Sequence, residues 1–338
     1  MALPLKPPVK PQLARSRKTL PGAEGDGAGD GIAYEPKYDG FRALAFVDGD
    51  DVYLQSRGGK PLARYFPELR FPADAGRGGY VIDGELVILG EDGAEVFDAL
   101  QNRIHPAESR INMLAEETPA IYRAFDVLVS AGERIMDRPF SERRAALVEL
   151  ISGMEGAVES GPGGWSAGTV ELTPLTLDAE AAEPWLESGE GVIAKELDAP
   201  YLPGERKGMS KIKRVRTIDA VIVGWRPGKE EGTVGSLILG LYDGDDLRVV
   251  GHTSGLKAQE KRDLVDKLAP YESGERGSAD PSRWAADRDL EWVALRPELV
   301  VEITFDHVSA GRIRHGSKIV RWRDDKAPSA CTIEQLDG

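Results

Sequence analysis

Cysteine and histidine are scarce in this chain of 338 residues, which contains one cysteine, Cys331, and four histidines. A single thiol cannot form an internal disulfide, and chains without disulfides are typical of reducing compartments. The histidines show none of the spacings that ligate zinc. The sequence therefore predicts a cytosolic protein stabilised by a packed core rather than by disulfides or zinc.

Long apolar runs are also missing. The longest candidates, such as residues 220–225, have the length of one strand, whereas a membrane-spanning helix needs about 20 apolar residues. Residues 1–20 include basic side chains, but four prolines interrupt them, so the apolar core of a secretory signal is not formed. The sequence predicts neither a membrane span nor secretion.

Positive charge is in deficit, because 43 Lys and Arg face 57 Asp and Glu and leave a net charge of −14. This balance argues against a protein that coats nucleic acid indiscriminately. The basic residues are nevertheless concentrated: residues 206–216 contain six and residues 312–323 contain five, with no acid in either segment. A solvated face is the ordinary explanation of such runs unless other features indicate a phosphate-rich partner.

The length predicts about two domains. Residues 1–30 begin with a proline-rich stretch and end in a Gly/Asp-rich one, a composition that predicts a flexible leader. Residues 31–216 alternate short β-like runs with helical periodicity, and residues 217–338 contain about five short strands and one helix near 256–268. An α+β domain followed by a small closed barrel such as an OB-fold is expected.

Within the first domain, residues 42–55 predict a hairpin around the turn 48–51. Residues 110–117 and 141–152 have helical periodicity, with Ser141 as the expected N-cap of the second helix. Residues 153–168 are rich in Gly, Ser and Glu and predict a surface loop.

The most informative segment runs from Glu35 to Arg42 and contains the pattern Lys-x-Asp-Gly-x-Arg. A lysine amine can attack phosphorus only when it is neutral, and desolvation and nearby positive charge favour that form. Lys37 is a candidate for such a nucleophile. Taken alone, the segment is also compatible with an ordinary surface turn, because Asp-Gly is a common turn dipeptide.

Further segments follow in an order that resembles the motifs of ATP-dependent DNA ligases. They cover nearly the whole chain and are Ser56-Arg57-Gly58-Gly59, Asp83-Gly84-Glu85, Tyr122 to Leu128, Glu190-Gly191-Val192-Ile193-Ala194-Lys195, Ser210-Lys211-Ile212-Lys213 and Arg321 to Lys326. Within the family the chain is similar to the small bacterial two-domain ligases called ligase C and to the ligase domain of ligase D. One departure is Met209, where the family pattern has a tryptophan.

The resemblance implies an adenylation (nucleotidyltransferase) domain with antiparallel sheets at residues 31–216 and an OB-fold β-barrel at 217–338. It implies that Lys37, Lys211 and Lys213 are catalytic and that Arg57 and Arg206 contact DNA phosphate. It assigns metal binding to Glu190 and Glu85. Phe125 is expected to stack on adenine, although a phenylalanine in an apolar strand is more often part of the core. ATP or AMP binding is implied for Glu35, Lys37, Arg42, Glu85, Phe125, Lys195, Lys211, Lys213, Arg323, Asp325 and Lys326.

The resemblance also implies the reaction and its partners: sealing of nicks in duplex DNA with ATP and Mg²⁺ or Mn²⁺, in DNA repair, by a monomer associated with the nucleoid in the bacterial cytosol. End-joining or repair proteins are possible partners. Two enzymatic alternatives share the Lys-x-Asp-Gly lysine, namely RNA ligases and mRNA capping enzymes, of which the latter use GTP. A non-enzymatic nucleic-acid binder is a third alternative, against which the intact motif residues argue.

Overall fold

The computed structural model describes residues 3–22, 31–72, 78–161, 164–214, 216–278, 291–305, 308–309, 311–313 and 316–336. The chain divides into two compact units, Met1–Arg214 and Val215–Gly338. This division lies two residues before the boundary that the composition predicts. Within the described ranges, no helix is both long and apolar enough to cross a membrane.

In the part of the chain that the structure describes, the first unit contains two sheets and four α-helices. Its helices are α1 Phe97–Arg103, α2 Glu108–Glu117, α3 Phe140–Ser152 and α4 Ala179–Glu187. Its strands are β1 Arg15–Arg17, β2 Ile32–Pro36, β3 Phe41–Asp48, β4 Asp51–Ser56, β5 Tyr80–Val87, β6 Ile121–Ser130, β7 Glu133–Arg134, β8 Ala157–Gly161, β9 Gly164–Ala167, β10 Val170–Leu172, β11 Gly191–Glu196 and β12 Met209–Lys213.

The larger sheet has the order β4-β3-β5-β6-β10-β9-β8, with β7 paired to β6. All its pairs are antiparallel except that of β10 with β6. Because successive side chains in a strand point to opposite faces, β3 supplies Ala43 and Ala45 to one hydrophobic cluster and Leu44 and Phe46 to another. Both faces of β3 are covered, which explains its continuous apolar sequence.

Residues 3–22 form part of the first unit, and for them the expectation of a flexible leader is wrong. Leu3 and Val9 pack in the cluster that covers Leu44 and Phe46. Leu20 packs in the cluster under the smaller sheet. The prolines of this segment keep it extended, and its few apolar side chains are enough to seat it on two cores. Residues 23–30 lie outside the described residues.

The smaller sheet has the order β1-β12-β11-β2. β11 is antiparallel to both β2 and β12, whereas β1 runs parallel to β12. One face buries Tyr34, Val192, Ala194 and Ile212 against α4. The alternate residues of the same strands therefore lie on the other face, which is the one that faces the candidate site.

The second unit contains one α-helix and nine strands within the described residues. They are β13 Arg216–Pro227, β14 Val234–Asp243, β15 Asp246–His252, α5 Ala258–Leu268, β16 Glu272–Ser278, β17 Glu291–Leu295, β18 Val300–Phe305, β19 Val308–Ser309, β20 Arg312–Ile313 and β21 Lys318–Trp322.

Five of these strands form the expected barrel. The antiparallel pairs give the order β15-β14-β13-β18-β21, and a parallel bridge between Thr253 and Ser317 joins the two ends. Helix α5 follows the third barrel strand and buries Leu264 and Leu268 in the barrel core. This is the connectivity of an OB-fold, in which closure removes the sheet edges.

The sequence predicted several elements correctly and missed others. The hairpin β3–β4 and helices α2, α3 and α5 are confirmed. Ser141 is not an N-cap: Pro139 occupies that position without a side-chain hydrogen bond, and the Ser141 N–H donates to Leu197 O. Residues 153–168 are not simply a loop, because β8 and β9 pair at the edge of the larger sheet. Strand pairing there outweighs the weak β-propensity of a glycine-rich sequence. The hairpin β16–β17 was not expected.

We predict that Gln55→Ala lowers the free energy of unfolding by about 2 kcal/mol. The buried Gln55 amide accepts from Val9 N–H at 2.9 Å and donates to Val9 O at 2.7 Å, and removing it leaves two buried backbone groups unpaired. Urea unfolding monitored by fluorescence measures the change. Gln101→Ala, at an exposed position of α1, is the matched control. Equal stabilities for both variants would show that residues 3–22 do not need this attachment.

Candidate active site

A cavity of about 220 Å³ lies in the first unit and is lined by residues of both sheets. The smaller sheet and its flanking segments contribute Leu13, Ala14, Glu35, Pro36, Lys37, Tyr38, Ile193, Lys195, Arg206, Met209 and Lys211, and the larger sheet contributes Arg42, Arg57, Glu85 and Phe125. Nine of the residues that the sequence singled out are in this lining, and six of these nine are cations.

Strand register explains how the smaller sheet brings these side chains together. Ile193 pairs with Glu35 on one side and with Lys211 on the other. Lys195 pairs with Met209 two residues further along β11. Positions two residues apart share a face, so one face of three strands presents all five side chains to the cavity. Met209, the departure from the family pattern, therefore occupies a lining position.

The turn that carries Lys37 is held by close backbone contacts. Lys37 N–H donates to Gly191 O at 2.9 Å, and Asp39 N–H donates to a Glu95 carboxylate oxygen at 2.8 Å. At Gly40 a Cβ atom would overlap the carbonyl oxygen of Leu86. The Asp-Gly pair of the motif is thus explained by a close approach to β5 that only glycine permits.

Glu35 is a buried carboxylate within a set of cations. Lys195 Nζ lies 2.7 Å from one of its oxygens and Arg144 lies 3.5 Å from the other. Lys195 also donates to Phe125 O at 2.8 Å. Burial raises the pKa of Glu35, and the two cations oppose that shift. The sequence did not indicate Arg144, although a buried carboxylate needs cationic partners and α3 carries two adjacent arginines.

Arg42 lies between an acid and an aromatic ring. Its guanidinium donates to both oxygens of Asp83, at 3.0 and 2.6 Å, and its central carbon lies 5.2 Å from the centre of the Phe125 ring. Lys195 Nζ lies 4.8 Å from the same centre. The Asp83 side chain is fully buried, and its charge raises the pKa of Arg42 against the effect of burial.

The remaining cations make the cavity a site for an anion. Burial and the positive charge of Lys213, Lys37 and Arg57 hold the pKa of Lys211 below its usual value. Arg57 is positioned by its backbone, which donates to Arg42 O at 3.1 Å. Several cations close together, with lysines among them, favour binding of phosphate groups.

Carboxylates at the cavity fit a metal ion that is bound together with phosphate. Burial raises the pKa of Glu85 to about 8, which means that a neighbouring cation would favour its charged form. Glu190 adjoins the start of β11, where Lys37 is attached. Within the described residues there is no group of three or more His, Cys, Asp or Glu side chains that could hold a metal. Mg²⁺ commonly uses one or two carboxylates together with substrate phosphates, so these donors fit it.

The C-terminal motif forms a separate ion-pair cluster on the second unit. Arg323 donates to both oxygens of Asp219 at 2.9 and 3.0 Å and to both oxygens of Asp325 at 2.8 and 2.9 Å. Lys326 Nζ lies 2.7 Å from Asp219. The side-chain hydrogen bond from Arg323 lowers the pKa of Asp325 to about 2. Asp219 was not singled out by the sequence.

The cavity therefore assembles most of the predicted site. Lys213 pairs with Gly191 at the end of β12 and Glu190 precedes the same glycine, but neither lines the cavity. The sequence missed Leu13, Ala14 and Tyr38 as lining residues. For the first two the misleading signal was composition, which predicted a leader. Tyr38 lies inside the motif, and Arg123 covers its ring at 4.7 Å.

Two family descriptions match this sequence. Residues 11–213 match the ATP dependent DNA ligase domain, and residues 230–326 match the ATP dependent DNA ligase C terminal region. The whole chain is 42% identical to DNA ligase C1 of Mycolicibacterium smegmatis and covers 96% of that protein. It is 40% identical to DNA ligase C of Mycobacterium tuberculosis, again over the whole chain and 96% of the relative.

Solved structures agree with these matches. The crystal structure of the ligase domain of M. tuberculosis LigD has a TM-score of 0.51 and 29% identity, over 96% of this chain and 98% of that one. A mycobacterial DNA ligase D complexed with ATP and MES matches with the same score, identity and coverage. A structure of Lig E DNA ligases, at 19% identity and a TM-score of 0.56 over 92% of this chain and 98% of that one, shares the fold.

We predict that Lys195→Met lowers the free energy of unfolding by about 3 kcal/mol, because it leaves the buried Glu35 without its nearest cation. The loss should grow as pH rises, since a buried carboxyl with a raised pKa favours the folded state only while it is protonated. Urea unfolding at several pH values measures both effects. Lys207→Met, which removes an exposed ion pair with Glu205, is the control and should change stability by less than about 1 kcal/mol.

Proposed function

This chain belongs to the family of ATP-dependent DNA ligases, and on that premise we propose that it seals nicks in duplex DNA through an AMP bound covalently to Lys37. The observation that carries the proposal is the cavity in which Lys37 lies among Lys211, Arg42, Arg57 and Arg206. A nucleophilic amine surrounded by cations matches transfer of a negatively charged nucleotidyl group.

The proposed reaction has three balanced steps. The Lys37 amine loses a proton and attacks the α-phosphorus of ATP, so that an N–P bond forms and pyrophosphate leaves. The 5′-phosphate of the nick then attacks the same phosphorus, which breaks the N–P bond and forms a DNA-adenylate. Finally the 3′-hydroxyl loses its proton and attacks the 5′-phosphorus, AMP leaves, and the phosphodiester is closed.

The lining residues divide by chemistry. Phe125 offers a ring on which adenine stacks, and Glu35 offers carboxylate oxygens that accept from an exocyclic amine. Lys211 and Lys213 stabilise negative charge on the α-phosphate and on the leaving group. Arg57 and Arg206 bind phosphates of the DNA at the nick. Arg42 and Lys195, which both lie near the Phe125 ring, also bind the nucleotide.

Glu85 and Glu190 would hold a divalent cation, Mg²⁺ or Mn²⁺, together with the phosphates. When it is bound, such a cation neutralises charge that develops on phosphate oxygens. In its charged form, the Glu85 carboxylate also accepts a hydrogen bond from a ribose hydroxyl. On the second unit, Arg323, Asp325 and Lys326 act on the β- and γ-phosphates of ATP, and so in the first step only.

The compartment, oligomeric state and pathway are also part of the proposal. The single cysteine accords with the bacterial cytosol, and a DNA substrate places the protein at the nucleoid. We propose that it acts as a monomer in DNA repair and works with end-joining or other repair proteins.

We predict that Lys37→Ala and Lys37→Arg both fold but never gain the mass of AMP. Alanine has no amine, and a guanidinium does not lose its proton near neutral pH. Intact mass before and after incubation with ATP and Mg²⁺, and again after addition of nicked DNA, measures gain and loss of AMP. Lys60→Ala, at an exposed lysine, should behave as the wild type. AMP found on another lysine of Lys37→Ala would exclude the assignment.

We predict that Asp325→Ala abolishes transfer of AMP from ATP to Lys37 but spares most of the sealing of a nick that already carries 5′-AMP. The variant removes two of the hydrogen bonds that orient Arg323, and only the first step involves β- and γ-phosphates. Lys213→Ala should impair both reactions. Rates on plain nicks with ATP and on adenylated nicks without ATP measure the difference. Equal losses on both substrates for Asp325→Ala would contradict the division of roles.

A further inference from the structure

A chain of hydrogen bonds connects the N-terminal segment to Arg42. Gln12 N–H donates to the hydroxyl of Tyr201 at 3.0 Å. That hydroxyl donates to an oxygen of Asp83 at 2.6 Å. The same oxygen accepts from Arg42 Nη2 at 2.6 Å, and the other oxygen of Asp83 accepts from Arg42 Nε at 3.0 Å. Tyr201 does not line the nucleotide cavity.

The chemistry of the groups determines the direction of each hydrogen bond in this series. A backbone N–H can only donate, so the Tyr201 oxygen is the acceptor from Gln12 and its own proton is available for Asp83. Bonds between a donor and a charged carboxylate are among the stronger hydrogen bonds. Tyr201 therefore fixes the orientation of the Asp83 carboxylate, which is fully buried. Among the described residues, its other side-chain hydrogen bonds come from Arg42 alone.

Tyr201 is also held in place by contacts of its backbone and its ring. Its N–H donates to Met136 O at 2.8 Å, and the Arg143 guanidinium lies 5.8 Å from the centre of its ring. Arg143 is in turn paired with Asp126 at 2.8 Å in a buried ion pair. The side chain of Tyr201 is 2% exposed. Because these contacts hold the Tyr201 side chain in one position, its hydroxyl can fix the position of the carboxylate to which it donates.

The Gln12 end of the chain is equally fixed. The Gln12 side chain is buried and donates to Lys207 O at 2.6 Å. The following residue, Leu13, donates from its N–H to Glu205 O at 2.8 Å and lines the cavity. The N-terminal segment thus closes over Tyr201 and excludes water from its hydroxyl.

We infer that Tyr201 is a positioning residue for ATP: through Asp83 it holds the Arg42 guanidinium in the orientation in which Arg42 binds the nucleotide. The two bonds to Asp83 use Nε and Nη2, and within the described residues no hydrogen bond uses Nη1, which leaves that edge for the ligand. Without the hydroxyl, Asp83 and Arg42 can rotate together. The inference rests on the proposed function, because it requires that Arg42 contacts ATP.

The test is Tyr201→Phe, which removes one oxygen and keeps the ring. Single-turnover formation of lysyl-AMP at a series of ATP concentrations gives a half-saturating concentration and a limiting rate. We expect the half-saturating ATP concentration to rise roughly five- to tenfold, as for loss of one hydrogen bond of typical strength, and the limiting rate to change by less than about twofold. Lys37 and the catalytic cations are not displaced by this variant.

Two controls separate positioning from folding. Tyr80→Phe removes another buried hydroxyl, which donates to Pro72 O at 2.8 Å; it should lower the melting temperature to a similar degree and leave the ATP constants unchanged. Arg42→Lys keeps the charge but loses the two-point pair with Asp83. In that background Tyr201→Phe should change ATP dependence by less than about twofold.

The outcomes are distinguishable. If wild type forms no lysyl-AMP, the proposed function fails and the inference with it. If wild type reacts and Tyr201→Phe only lowers the melting temperature, as Tyr80→Phe does, Tyr201 is structural and the inference is overturned. The inference is also overturned if Tyr201→Phe has its full effect in the Arg42→Lys background, because then Arg42 is not the intermediary.

Discussion

Mutual repulsion among the cations of the nucleotide cavity is the constraint on which the first unit depends. Lys37, Lys211, Arg42, Arg57 and Arg206 line one cavity of about 220 Å³, and such like charges would separate in a mobile chain. They are held by rigid strands and by two buried acids: Glu35 lies beside Lys195 and Arg144, and Asp83 pairs with Arg42. The proposal leaves Lys37, Lys211, Arg57 and Arg206 to bind phosphate, so some charges of the cavity contribute to stability and others to function.

Two backbone features place these charged side chains around one cavity. The register of β2, β11 and β12 sets Glu35, Ile193 and Lys211 in one row on the cavity face. Gly40 allows the turn after Lys37 to lie against Leu86, which brings the nucleophile of the smaller sheet to the acids of the larger sheet. The strand register does not tolerate a shift by one residue, since this would move every side chain of the shifted strand to the opposite face.

The fold class that the sequence predicts is confirmed, whereas the roles of the site residues stay predictions. Lys37, Arg42, Glu85 and Lys211 stand in short motifs whose chemistry can be derived from residue type, and the cavity brings them together. Tyr201 could not be found in this way, because a tyrosine 118 residues from its acceptor, Asp83, carries no local signal. The N-terminal segment was misjudged for a related reason: its composition describes what the segment can bury alone, whereas Leu3, Val9 and Leu20 pack on cores formed by later strands.

The ion pairs of the C-terminal motif explain why its proposed contact with ATP can be temporary. Arg323 already donates to Asp219 and Asp325. A triphosphate that replaced Asp219 as acceptor would exchange charged hydrogen bonds rather than create them, while Asp325 kept the guanidinium oriented. The net free energy of such an exchange is small compared with that of either state against water. Once pyrophosphate leaves, the acceptors on ATP are gone and the two acids are again the best partners of Arg323. An arginine without Asp219 would instead lack that competing acceptor and would release a bound phosphate more slowly.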